Sequence, residues 1–311
     1  MLRLKSLFVL LLLFYLPFNL QAHPSWGIVV DENGCIYFVD VMHNGDGSLW
    51  KLDPNTKKLE VVYSNFHAHQ IYINKPNEIV AAIAKWRTGE IEGEGHNYLF
   101  KYTTNTKQLD TLLFTDDWDE FHGQNFAISN SLKEVYFSMN KKVNVKYING
   151  NTKPLINHEF QRTNTLTTDQ NGNLYITDSN YKNGTLYIWN KLSGLKELAN
   201  NLLEQNPENP IFKEKRHQLF YGIAFSKDNN PLVTESASRT IKEVYQDGSH
   251  KIVYTSIQNW TPNGVFFKNG KYYIMETGYD RQHLGPRIII TDHNFKILQT
   301  FEIDFLSKRI K

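Results

Sequence analysis

One cysteine, Cys35, stands in the whole chain, so no internal disulfide can staple it. Cys35 starts an alternating segment in which Cys35, Tyr37 and Val39 oppose Ile36, Phe38 and Asp40. A small apolar side chain at such a position reads as a packed residue rather than a nucleophile. Charge of one sign is lacking as well. Lys and Arg number 34 against 32 Asp and Glu, a formal net charge of +2. That balance excludes the basic patch or stripe of a nucleic-acid binder. Beyond the first 22 residues no apolar run is long enough to span a membrane. A Gly-x-Ser-x-Gly nucleophile elbow is absent, as is a phosphate-cradling glycine loop. Serines and histidines are scattered without the spacing of a triad. A Trp-Asp pair occurs at 118–119, but in a connecting loop rather than at a strand end.

The one long apolar run is N-terminal. Arg3 and Lys5 precede Leu7–Phe18, Pro17 interrupts the stretch, and Ala22 offers a cleavage point. This layout predicts a secretory signal peptide over 1–22 and an exported protein, periplasmic or extracellular. Losing Arg3 and Lys5 leaves residues 23–311 with balanced charge.

What is present is a repeat. Six phrases share one form, a short apolar strand, a polar turn and a second apolar strand: GIVVDENGCIYFVD (27–40), QIYINKPNEIVAAI (70–83), NFAISNSLKEVYFSM (125–139), TLTTDQNGNLYITD (165–178), GIAFSKDNNPLVTE (222–235) and GVFFKNGKYYIME (264–276). The turns are rich in Asp, Asn and Gly, which supply the positive φ of tight hairpins. A third strand follows in each unit, as in SLWKLD (48–53) and TLYIWN (185–190), and a fourth is suggested by KLEVVY (58–63), QLDTLLF (108–114), HKIVYT (250–255) and KILQTFEI (296–303). Four short strands per unit, six times over, predict an all-β, six-bladed β-propeller of four-stranded antiparallel blades, forming one domain over 23–311. Two insertions interrupt the spacing, at 84–96 and 201–220. Leu195, Leu198, Ala199, Leu202 and Leu203 have helical spacing, so a short helix is expected there.

The repeat also gives a coordinate system. The residue two places before the first apolar residue of each first strand is Trp26, His69, Gln124, Asn164, Tyr221 or Asn263. In a propeller the six form one ring at the mouth of the central channel. Histidines gather nearby: His67 alternates with His69, His122 holds the comparable place in the third unit, and His96, His217 and His283 lie in loops. Trp86, Trp118 and Trp260 also lie near strand starts or in long loops, as ligand-lining or packing residues.

The blade phrases resemble those of the six-bladed superfamily that includes NHL-repeat proteins, the senescence-marker (SMP-30)/gluconolactonase family, paraoxonases and strictosidine-synthase-like proteins. DQNGNLYITDSN (169–180) is similar to the phrase shared by NHL and gluconolactonase-like chains. TPNGVFFKNGKYYIMETG (261–278) resembles a strictosidine-synthase-like phrase, and ESASRTIKEVYQDGS (235–249) an NHL blade end. Metal-dependent members hold a central ion with Asn, Asp and Glu at the channel mouth. That resemblance implies Asn164 and Asn263 as metal ligands. Tyr221 and Trp26 depart from the pattern, and the ring carries no carboxylate. Strand ends supply Asp40, Asp178, Glu235 and Glu276 one layer away. Two readings follow. In the first, an exported propeller binds a small molecule, glycan or protein through Trp26, Gln124, Tyr221 and Glu276, with no nucleic acid and no membrane span after signal removal. In the second, a divalent metal, calcium or a transition metal, supports lactone or ester hydrolysis with His69 as the catalytic base or ligand.

Overall fold

The computed structural model describes residues 24–41, 43–86, 95–121, 126–205, 207, 218–278, 285–305 and 309–310. The signal-peptide segment 1–22 therefore lies outside the described residues, as do Gln124, His122, His217 and His283. The side chains of Trp86 and Arg309 are likewise not described.

Six antiparallel sheets, each from contiguous chain, make a six-bladed β-propeller. Blade 1 holds β1 (Ile28–Val30), β2 (Ile36–Asp40), β3 (Ser48–Asp53) and β4 (Lys58–Ser64), with a 3₁₀ turn at His43–Gly45. Blade 2 holds β5 (Ile71–Lys75), β6 (Glu78–Trp86), β7 (Gly95–Thr103) and β8 (Gln108–Thr115). Blade 3 holds β9 (Phe126–Ile128), β10 (Glu134–Met139), β11 (Lys142–Tyr147) and β12 (Thr152–Pro154). Blade 4 holds β13 (Thr163–Thr168), β14 (Leu174–Asp178), β15 (Thr185–Asn190) and β16 (Gly194–Ala199). Blade 5 holds β17 (Phe220–Phe225), β18 (Pro231–Glu235), β19 (Thr240–Val244) and β20 (His250–Thr255). Blade 6 holds β21 (Trp260–Lys268), β22 (Lys271–Gly278), β23 (Pro286–Asp292), β24 (Ile297–Asp304) and the edge strand β25 (Arg309–Ile310). No helix among the described residues is long and apolar enough to cross a membrane.

The hairpins follow from their turn chemistry. The Asp31 carboxylate accepts from the N–H groups of Asn33 and Cys35, and Asp169 does the same for Asn171 and Asn173. Each first hairpin then turns on a positive-φ residue: Gly34, Asn77, Leu132, Gly172, Asn229 or the pair Asn269 and Gly270.

Alternation decides the packing. In β2, Ile36 and Phe38 pack toward blade 6, whereas Tyr37 and Val39 pack toward blade 2. Side chains of a strand point to opposite faces, so each central strand feeds two seams. This is why β2, β14 and β18 are buried along their whole length. The apolar core divides into one cluster at each of the six blade–blade seams. Among the described residues the ring closes without strand exchange. Blades 1 and 6 meet through Ile28, Phe38 and Trp50 on one side and Met275, Ile288 and Phe301 on the other.

As expected of a four-stranded unit, blades 3 and 4 also carry a fourth strand, β12 and β16. One expectation is corrected. The expected helix over 195–203 is instead β16 followed by a loop. β16 pairs with β15 through a bulge between Leu186 and Tyr187. Strand, bulge and turn together bring Leu198, Ala199, Leu202 and Leu203 onto one seam, which imitates a helical apolar face. Cys35 is half-buried against the blade 1–blade 2 seam, and burial, helped by Asp31, raises its thiol pKa. That disfavours the thiolate, as a packing residue requires.

Blades 2 and 3 are tied by one buried carboxylate. Glu120 accepts from Thr115 Oγ1 (2.8 Å) and Thr152 Oγ1, and pairs with Lys146 Nζ at 2.6 Å. Burial pushes its pKa up, but the bonds from Lys146, Thr152 and Thr115 outweigh it and leave it below the ordinary value. A lowered folded pKa stabilises the native state above the unfolded carboxyl's pKa, about 4.3, and that contribution fades as pH falls through the folded value. Glu120→Gln should therefore cost about 2 kcal/mol at pH 7 and approach zero cost near pH 3. Urea unfolding of both proteins across that range checks it; a cost that stays constant with pH would refute the assignment.

Candidate ligand site at the channel mouth

The starts of the inner strands are forced together by the ring. The backbone N–H groups of Trp26 and Gly27 both donate to His69 O at 2.8 Å, which stitches blade 1 to blade 2. A Cβ built on Gly264 would lie 2.2 Å from Trp26 O, and one on Gly222 would lie 2.6 Å from Asn263 O. Glycine is thus required after the ring residue in these blades, because the next inner strand passes against it. The ring residue itself is under no such constraint. This is how blade 5 keeps the glycine of an Asn-Gly pattern while carrying Tyr221.

The side chains at that level form an aromatic group. The Trp26 ring lies 5.3 Å from His69 and 6.3 Å from Tyr221, and His67 meets His69 edge-on at 5.2 Å. His69 is 1% exposed and Tyr221 6%, whereas Trp26 is half-buried. Trp26 is therefore the member a ligand would meet first. His69, expected as a catalytic base, sits in the wall behind it and offers almost no surface to a substrate.

Polar atoms cluster around this group. Asn263 is fully buried; its Nδ2 donates to Thr277 Oγ1 and Ser25 O, and its Oδ1 has no hydrogen-bond partner. Trp26 Nε1, Gln70 Oε1, Thr165 Oγ1 and Thr261 Oγ1 are also buried without a partner. All five belong to inner strands or their starts, in blades 1, 2, 4 and 6. Buried polar groups are normally satisfied, and leaving one unpaired costs about 1–3 kcal/mol. Five in one place mark a polar interior that is suited to water or to a ligand's polar groups. Deeper in, Gln70 Nε2 donates to Leu166 O at 3.1 Å, and Tyr72 Oη lies 2.6 Å from both Phe126 O and Leu166 O. A hydroxyl has one proton, so it donates to one carbonyl at a time. These side chains of blade 2 join the inner strands of blades 3 and 4 and narrow the channel below the ring.

The expected metal ligands fare differently from one another. Asn164 is half-buried, and its Oδ1 accepts from Ser179 Oγ at 2.6 Å. Asn263 alone presents an uncommitted amide oxygen. The strand-end carboxylates hold loops. Asp178 takes the N–H groups of Gln161, Arg162 and Asn180, Asp40 takes His43 N and Trp50 Nε1, and Glu235 takes Ala237 N and Ser238 N. Glu276 is 0% exposed; it accepts from Tyr254 Oη (2.7 Å), Ser256 Oγ (2.5 Å) and Arg287 Nε (2.6 Å). Expected one layer from the ring as a ligand-binding residue, it belongs to the blade 5–blade 6 seam, because the register turns its side chain toward β20 and β23. Among the described residues no group of three His, Cys, Asp or Glu could hold a metal ion. A hard cation takes six to eight oxygen ligands and usually carboxylates among them, which the few neutral oxygens left unpaired there do not supply.

Among the described residues, Trp118, Trp260 and His96 each have a packing or ion-pair partner. Trp118 lies against Gly95, and its backbone oxygen accepts from Asn97 Nδ2. The guanidinium of Arg287 lies 4.4 Å from the Trp260 ring. His96 pairs with Asp116 at 2.7 Å. The expected His67 neighbour is real, and His67 lies 3.7 Å from Asp46.

One mouth residue was overlooked by sequence reasoning. Arg162 precedes ring residue Asn164 by two positions and is half-buried beside Tyr221. The repeat register could have found it, since His67, His122 and Arg162 hold the same place in three successive units.

No protein-family model matches the sequence, and no curated protein sequence matches it. Solved structures do match in shape. A protein of unknown function from Bacteroides thetaiotaomicron superposes with a TM-score of 0.58 at 12% identity, covering 81% of this chain and 66% of that one, a little under two thirds of its length. A candidate gluconolactonase gives 0.57 at 15% identity, covering 89% and 90%. Virginiamycin B lyase from Staphylococcus aureus gives 0.54 at 11%, covering 90% and 85%. At these identities the likeness establishes the propeller fold alone.

Proposed function

We propose that this propeller is an exported binding protein for a small molecule, taken at the channel mouth beneath and beside Trp26. The observation that carries the reading is the set of five unpaired buried polar atoms gathered at the inner-strand starts. Small-ligand sites combine apolar and aromatic walls with a few fixed polar groups. Here Trp26, His69 and Tyr221 supply the wall, and Asn263 Oδ1 and Trp26 Nε1 supply an acceptor and a donor. The polar atoms are shut off from solvent, so occupation requires a side chain at the mouth to shift, and half-buried Trp26 is the proposed one. Its Nε1 has no hydrogen bond to break when it does. Export rests on the N-terminal leader pattern alone. A metal-dependent lactone hydrolase is the weaker reading, because the described donors at the ring do not make a cation site.

A thermal-shift screen of small polar ring compounds tests the proposal. A ligand at about 100 times its Kd should stabilise the protein by roughly 2.7 kcal/mol, a shift of about 4 °C. Trp26→Phe, which keeps a ring but loses Nε1, should lower affinity for such hits about tenfold. Shifts that are unchanged in Trp26→Phe and in Asn263→Leu would place the ligand elsewhere on the molecule.

A further inference from the structure

Among the described residues, Arg162 has no counterion. It sits at the inner edge of blade 4, where its backbone N–H donates to Asp178 Oδ1 (2.9 Å) and its carbonyl accepts from Ser179 N (2.9 Å). Those two bonds fix the start of β13 at the mouth, two residues before Asn164. Its guanidinium forms no ion pair with any carboxylate among the described residues, whereas other largely buried cations are paired, as Lys146 with Glu120 and Arg287 with Glu276. The acid that holds its backbone N–H, Asp178, is itself 1% exposed and accepts three backbone N–H groups. Burial lowers the guanidinium's pKa, and only the neighbouring Tyr221 opposes it. A partly desolvated cation without a partner is unfavourable unless an anion arrives from outside.

We propose that Arg162 anchors a carboxylate of the bound small molecule, so that the site selects ring-bearing organic acids over their neutral counterparts. The inference rests on the ligand-binding reading above and narrows its chemistry. The guanidinium fork matches a carboxylate through two parallel N–H···O bonds. Tyr221 stands beside it, with the Trp26 ring 6.3 Å from Tyr221, to cover the ring of the same molecule. Asn263 Oδ1 remains to accept from a hydroxyl or N–H of that ring. No acidic side chain of the ring set competes for the position, since Trp26, His69, Asn164, Tyr221 and Asn263 carry none.

The test uses matched pairs on the purified protein by isothermal titration: indole-3-carboxylate against its amide, and glucuronate against glucose. The two pairs separate aryl acids from sugar acids. In at least one pair the acid should bind ten-fold or more tightly than the neutral compound, and the preference should shrink as salt is raised. Arg162→Gln should abolish the preference while leaving the neutral compound's affinity unchanged. Arg162→Lys, which keeps the charge but not the fork, should retain part of it. Acid and neutral compounds binding equally, in wild type and Arg162→Gln alike, would overturn the anchor and leave the binding site standing. No binding by either member of both pairs would overturn the anchor together with the reading beneath it.

Discussion

Arg287→Met is expected to destabilise the propeller by about 3–5 kcal/mol. Arg287 and Glu276 form a buried pair at the outer half of blade 6, with Arg287 7% exposed and Glu276 not exposed at all. Removing the guanidinium leaves the carboxylate with Tyr254 and Ser256 but without a cation. It also strips the Trp260 ring of the guanidinium 4.4 Å from its centre. The double replacement Glu276→Leu with Arg287→Met should be markedly less destabilised than Arg287→Met alone, because no charge is then buried unpaired. Denaturant midpoints of wild type, both single variants and the double variant decide it. Additive single effects would mean that the pair is not coupled.

Gly264→Ala is expected to cost about 3 kcal/mol, at the upper end for an overpacked site. The added methyl would meet Trp26 O at 2.2 Å and Ile28 Cγ2 at 3.0 Å. The first of these is backbone, which cannot rotate away. Relief requires the start of blade 1 to move off blade 6, taking Trp26 and the bonds to His69 O with it. Gly34→Ala makes the contrast, because nothing lies within 4 Å of its Cβ and only the left-handed φ of +79° resists. It should cost about 1 kcal/mol. Thermal unfolding of the two variants in parallel separates crowding from backbone strain. Equal losses would show that the seam yields more readily than its geometry implies.

The architecture was legible because it is written locally and repeatedly. Asp31 and Asp169 bond the very turns that their phrases announce, and alternation in IYFVD sends side chains to two different seams. The helix expected over 195–203 failed for a reason that periodicity cannot see. A bulged strand and a turn can deliver the same apolar spacing when a neighbouring strand supplies the backbone hydrogen bonds. The site was legible only as positions. Register puts Asn164 and Asn263 at equivalent Cα places, yet one amide oxygen is taken by Ser179 and the other has no partner. Glu276 ends its strand as Asp178 does, but its carboxylate is gathered in by side chains from β20 and β23 rather than by loop N–H groups. Which partner each polar atom takes depends on residues distant in sequence; the register marks the place of Arg162, but not that it has no carboxylate partner among the described residues.

The closure of the ring without strand exchange has a bearing on time as well as shape. Every blade is completed by nearby sequence, so blades can form one after another as the chain emerges, and the joining of first to last is left as the final docking event. Among the described residues no interstrand ladder crosses that joint. Its latch is side-chain packing plus the contacts of Trp26, Ser25 and Asn263. The joint is therefore where the circle can breathe, and the ligand proposed here would sit astride it. Occupancy should slow that breathing from the inside, so that a molecule held by Trp26 on one flank and Asn263 on the other acts as a buckle for the whole circle.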